Sequence, residues 1–94
     1  MTAVNELDRT HELIAQSNRN LVDFLKIDLG LGMELAKLAQ IRKQAGNIEG
    51  YERSKHNAMR VLEDTAYLER RIQPEYRKEI ERLRAELAQF VSTI

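Results

Sequence analysis

The spacing of apolar residues towards the end of the chain predicts an amphipathic helix. Pro74 should begin this helix, because proline suits the first helical position, where no backbone donor is needed. Large apolar residues then recur at alternating intervals of four and three residues, which is a heptad pattern about three heptads long. The positions are Tyr76, Ile80, Leu83, Leu87, Phe90 and Ile94. We expect this seam to pack against another helix.

A second helix is predicted before it, from about Ile48 to Ile72. Asn47 is a suitable N-cap residue, and Glu49 lies in the first turn, where the helix dipole favours a negative charge. The apolar stripe of this helix is weaker than the previous one, because Lys55 and Glu69 interrupt it.

The segment before Asn47 predicts a further helix with its own apolar stripe. Gly46 should end it as a left-handed cap residue. Gly30 and Gly32 lie within the helix, where each costs about 1 kcal/mol relative to Ala. They indicate either a close contact with a neighbouring helix or a bend, and we favour the close contact. The stripe contains Phe24, Ile27, Leu31, Leu35, Leu38 and Ala45, and it is widened by Leu25, Ala36 and Ala39.

Two alternatives exist for the beginning of the chain. The polar segment Ser17–Asn20 interrupts an apolar pattern, so a short first helix ends near Gln16 or one long helix continues through the segment. We favour the continuous helix, because no Gly or Pro lies there. The predicted fold is therefore all-α, an antiparallel bundle of three long helices that forms a single domain over residues 1–94.

The composition agrees with a helical fold and limits the cellular compartments in which we expect the protein. Apolar residues make up 43% of the chain and charged residues 32%, which is typical of a folded helical protein. The chain has no cysteine, so disulfides and thiolate zinc sites are excluded. No stretch is long enough for a membrane span, and no signal peptide is recognisable, so we expect a cytoplasmic protein.

Positive charge is concentrated around the predicted turn. The chain has no formal net charge, but residues 37–60 contain six bases and two acids. A cluster of bases is the feature that anionic ligands and nucleic acids require, whereas zero net charge argues against nucleic acid. The candidate anion-binding residues are Arg42, Lys43, Arg53, Lys55 and Arg60.

No catalytic constellation is recognisable. Glu52 and His56 are four residues apart and would share one helix face, so a metal-dependent helical enzyme is a third hypothesis. The bundle type of dinuclear site needs a repeated Glu and His motif, and the chain has two histidines in total. We therefore expect a non-enzymatic protein without metal or cofactor.

Residues 35–62 resemble a degenerate tetratricopeptide-type helical hairpin. Leu38-Ala39 occupy the Leu-Gly positions of that repeat, Gly46-Asn47 its turn, and Ala58 the small residue of its second helix. The chain departs from the repeat at Arg42, where the family has an aromatic residue, and at Tyr51, where it has Ala. The resemblance implies a helical hairpin with a role in protein interaction.

Two further resemblances concern short segments. Residues 45–49 are similar to the turn of the microtubule-interacting-and-trafficking domain, a three-helix bundle that binds short helices of partner proteins in its grooves. Residues 28–36 are similar to small helical bacterial proteins, which implies no activity.

The sequence thus favours a protein-interaction or assembly module that acts through helix packing. The expected partners are a second copy of the chain or a helical segment of another protein. The predicted contact residues belong to the last helix: Tyr76, Ile80, Leu83, Leu87 and Phe90. Anionic-ligand binding through the basic turn is the alternative.

Overall fold

Three helices packed against one another form the fold, as the sequence predicts. The computed structural model describes the backbone of residues 2–94 and the side chains of residues 16–94. The helices are α1 (Thr2–Gln44), α2 (Ile48–Glu69) and α3 (Pro74–Thr93), and no strand occurs between residues 2 and 94. α1 continues without a break through residues 17–20, which confirms the favoured alternative.

The turn between α1 and α2 is built from two residues that act as caps. Gly46 has φ +80°, a left-handed conformation that glycine adopts without strain. The amides of Gly46 and Asn47 donate to the carbonyls of Lys43 and Arg42, which is a Schellman ending of α1. Asn47 also begins α2, because its Oδ1 accepts from the amide of Gly50 at 3.0 Å.

α2 ends three residues earlier than predicted, at Glu69 rather than near Ile72. The amides of Arg71 and Ile72 donate to carbonyls only three residues back, so the chain tightens into a turn. Gln73 is extended, with ψ 144°, because the following Pro74 disfavours a helical conformation there. Ile72 is buried and closes this end of the core.

α2 and α3 lie along α1 from about Asn18 to its C-terminal end. At one end, the amide of Gln73 donates to Oδ1 of Asn18 at 3.2 Å. At the other end, Tyr51 Oη and Lys43 Nζ donate to the main-chain oxygen of Ile94 at 2.7 and 2.9 Å. These contacts make α2 antiparallel to both α1 and α3.

The face of α1 towards the core consists of small and medium-sized residues, which we call the inner seam. Its positions are separated by intervals of three and four residues, as in a heptad pattern. A Cβ on Gly32 would lie 2.8 Å from Leu87 Cδ2 and 2.9 Å from Val61 Cγ1, so the three helices meet closely there. The predicted close contact is thus confirmed for Gly32 and is wrong for Gly30, where a Cβ would meet nothing within 4 Å. The inner seam contains Val22, Leu25, Leu29, Gly32, Ala36 and Ala39, all buried.

Candidate functional site

A second heptad-spaced row runs along α1, and each of its positions follows an inner-seam position by two residues. Two residues correspond to about 200° around a helix, so this row points away from the core. Glu34 occupies its fourth position, and the other five positions are large apolar residues. We call the row the outer seam: Phe24, Ile27, Leu31, Glu34, Leu38 and Ile41.

The apolar side chains of the outer seam are exposed. Their exposure ranges from 37% at Leu38 to 73% at Ile27. A single exposed apolar residue is ordinary, but five in one row along a helix, interrupted at Glu34, form the kind of surface that marks an interaction site. α1 is therefore apolar on two opposite sides, and one of them packs within the chain.

One end of the outer seam is acidic. Beside Phe24, a cavity of about 410 Å³ lies between α1 and α2, and Asp28, Asp64 and Tyr67 line it. Burial raises the pKa of Asp28 above its ordinary value of 3.8, and the negative charge of Asp64 raises it further. The fold therefore disfavours the charged form of Asp28, and this end has an excess of negative charge.

Asp28→Asn should stabilise the fold at neutral pH. Because the pKa of Asp28 is raised, the native state binds its proton more tightly than the unfolded chain does. The stability from this group is therefore complete below pH 3.8 and is lost as the pH rises through the native pKa. We expect Asp28→Asn to raise Tm at pH 7 in dilute protein. The gain should vanish near pH 3, and a lower Tm at pH 7 would contradict the assignment.

The other end of the outer seam is basic. Arg42 Nη1 donates to Ser54 Oγ at 2.9 Å and to the carbonyl of Gly50 at 3.4 Å, which holds α1 and α2 together there. Lys37 is exposed and lies 3.7 Å from Glu34. On α2, Arg53 lies 3.7 Å from Glu49. Lys37 and Arg53 are each paired with a glutamate, so the positive excess at this end rests on residues 37–60 as a whole, which contain six bases and two acids.

The five predicted contact residues of α3 face the core of the chain. Ile80 and Leu87 are fully buried, and Tyr76, Leu83 and Phe90 are half-buried against the same core. Their heptad spacing thus serves packing within one chain. Ile80 and Leu87 offer no surface to a second molecule, and a role in association stays a prediction for the three half-buried residues.

The predicted anion-binding residues do not lie on one surface. Arg53 and Lys55 are two residues apart on α2, so they point to opposite sides of the helix. Lys43 and Lys55 lie 5.2 and 5.6 Å from the centre of the Tyr51 ring, and Arg42 is bonded to Ser54. Arg60 is exposed. Anion binding through these residues stays a prediction.

Glu52 and His56 are both exposed on α2. Among the residues whose side chains are described, no group of three or more His, Asp or Glu residues could hold a metal ion. Within the same part of the chain, no helix is both long and apolar enough to cross a membrane.

The outer seam was only partly recognisable from the sequence. The sequence groups Phe24, Ile27, Leu31 and Leu38 in one stripe that Leu25, Ala36 and Ala39 widen. In the structure the first four residues are exposed and the last three are buried, so this stripe combines two opposite sides of α1. The signal that identifies the second row is the repetition of one heptad pattern at an offset of two residues. Comparison with known proteins adds no assignment, since the chain matches no protein-family model, no curated protein and no solved structure.

Proposed function

We propose that this protein is a non-enzymatic interaction module that packs the outer seam against a helix of another molecule. The observation that carries the proposal is the row of five exposed apolar side chains on α1, with the same heptad spacing as the buried inner seam. Heptad-spaced apolar rows bind helices because side chains at these positions fit between the side chains of a facing helix.

Two further features support this function. The row lies on a rigid element, since α1 is one uninterrupted helix held by α2 and α3 on its other sides. The flanking charges differ along its length, and such charges fix the orientation and choice of a partner. The resemblance to helical hairpins that bind peptides points in the same direction.

Site-specific photo-cross-linking in the native host tests the proposal. A benzophenone amino acid replaces Leu31, which is 55% exposed in the outer seam, and in a matched control it replaces Met59, which is 44% exposed on α2. We expect a discrete protein adduct from position 31 and none from position 59. The proposal is wrong if neither position gives an adduct, or if both give the same adducts.

A further inference from the structure

We propose that the helix facing the outer seam belongs to a second copy of this chain. The two α1 helices would run antiparallel about a two-fold axis that passes between Gly32 and Met33. The inference rests on the proposed function and names the partner of the same surface.

The outer seam has the symmetry that such a pair requires. In a two-fold interface the same patch must be complementary to itself. The intervals between seam positions are three, four, three, four and three, which read identically in both directions. Antiparallel pairing therefore places Phe24 opposite Ile41 of the partner subunit and Ile27 opposite Leu38 of the partner subunit. Leu31 lies opposite Glu34 of the partner subunit at the centre.

The charges beside the seam are complementary under the same operation. Negative charge marks the end near Phe24, and positive charge marks the end near Ile41. Antiparallel packing sets the acidic end of each copy against the basic end of the other, which is favourable over distances near the Debye length. The acidic end contains Asp23, Asp28 and Asp64; Arg19 and Lys26 lie beside Asp23, and Lys26 is paired with Glu79. The basic end contains Lys37, Arg42 and Arg53, of which Lys37 and Arg53 are paired with Glu34 and Glu49.

Parallel packing of two α1 helices would be unfavourable. In a parallel pair, the positions that flank the seam face flanking positions five residues further along the other helix. Asp23 would then face Asp28 of the partner subunit, and Lys37 would face Arg42 of the partner subunit. Both contacts join like charges, so the charge pattern selects the antiparallel arrangement.

The contact is of moderate size. The seam spans about 27 Å at about 1.5 Å per residue. One helix packed on another over this length buries an area at the low end of specific interfaces, so we expect monomer and dimer to exchange with concentration. Glu34 places a carboxylate next to the central leucine, and polar residues at such positions weaken association while they fix the register.

Solution mass across a concentration series tests the dimer. With increasing concentration, we expect light scattering to show a rise from the monomer mass of 10.9 kDa to twice that value. Leu31→Glu should remain monomeric, whereas Met59→Glu, an equally drastic change at an exposed residue outside the seam, should dimerise like the wild type. Glu34→Leu should tighten the dimer by about tenfold or more, because it completes the apolar row in both copies.

Disulfide trapping tests the orientation, since the chain has no cysteine of its own. A mixture of Ile27→Cys and Leu38→Cys should give a cross-linked heterodimer on mild oxidation. Ile27→Cys alone should give none, because the two copies of residue 27 lie about 16 Å apart along the antiparallel pair, beyond the reach of a disulfide.

Three results would overturn the inference. They are a wild type that stays monomeric at all concentrations, a dimer that Leu31→Glu does not weaken, and cross-linking of Ile27→Cys with itself. If the protein is a monomer and position 31 still cross-links to a different protein in the host, the partner is not a second copy of this chain, and the proposed function remains supported. A monomer without any adduct at position 31 would contradict both.

Discussion

Leu87→Ala should lower the free energy of unfolding by about 2–5 kcal/mol, the usual cost of a cavity left by a fully buried leucine. Leu87 has 0% exposure and packs next to Gly32, where α1 and α3 approach each other closely. Domains of this size are stable by about 5–15 kcal/mol, so the variant would lose a large share of its stability. Urea denaturation followed by circular dichroism measures the effect.

Leu31→Ala is the matched control for this experiment. It removes the same atoms from an exposed leucine, so at a monomeric concentration we expect a change within about 0.5 kcal/mol. Equal losses for the two variants would mean that the outer seam is packed within the chain, and the inner and outer sides of α1 would have to be exchanged.

Gly32→Ala should destabilise the protein relative to Gly30→Ala by about 1–3 kcal/mol. Both substitutions replace a mid-helix glycine, so both gain up to about 1 kcal/mol of helix propensity. A Cβ on Gly30 meets nothing within 4 Å, whereas a Cβ on Gly32 would meet Leu87 and Val61 at less than 3.0 Å. Overpacking of a filled core costs about 1–3 kcal/mol. The difference between the two unfolding free energies therefore isolates the steric cost.

The double variant Gly32→Ala/Leu87→Ala checks the cause. Removal of the Leu87 methyl groups creates room for the new methyl group, so we expect the two substitutions together to cost less than the sum of their separate effects. Strictly additive effects would show that the crowding at Gly32 has another origin.

Most of the fold could be predicted because the ends of the helices depend on local chemistry. Gly46 adopts the left-handed conformation that ends α1, and Asn47 caps α2. Pro74 occupies the first position of α3, where a missing backbone N–H costs nothing. These residues act on backbone only a few positions away, so their effects can be predicted without knowledge of distant contacts. The end of α2 was placed too late because Ile72 continues the apolar pattern while it lies in a turn.

The face of α1 towards the core could not be predicted in the same way. The predicted stripe of α1 joins large residues such as Phe24 and Leu31, which are exposed, with Ala36 and Ala39, which lie on the packed side together with Gly32. Small residues bury little area themselves but let helices approach closely, so large neighbours such as Leu87 contribute most of the buried surface. The size of a residue therefore does not reveal its side when a helix is apolar on two sides.

The predicted contact residues show a related ambiguity. The heptad row of α3 has the spacing of an intermolecular coiled coil, and the same spacing serves a bundle within one chain. Ile80 and Leu87 pack within the bundle of one chain, where both are fully buried. Only the three-dimensional arrangement shows which of several rows remains without a covering helix, and here that row lies on α1.

The bonds to the main-chain oxygen of Ile94 have a consequence for the order of folding. They join residues 51 and 43 positions apart, whereas the turn at Gly46 and Asn47 closes over a few residues. Closing a long loop costs more entropy than closing a short one, so the contacts of α3 with α1 should form after the local turns. Leu87→Ala would then accelerate unfolding strongly and leave the refolding rate nearly unchanged, so that α3 governs how long the native state persists.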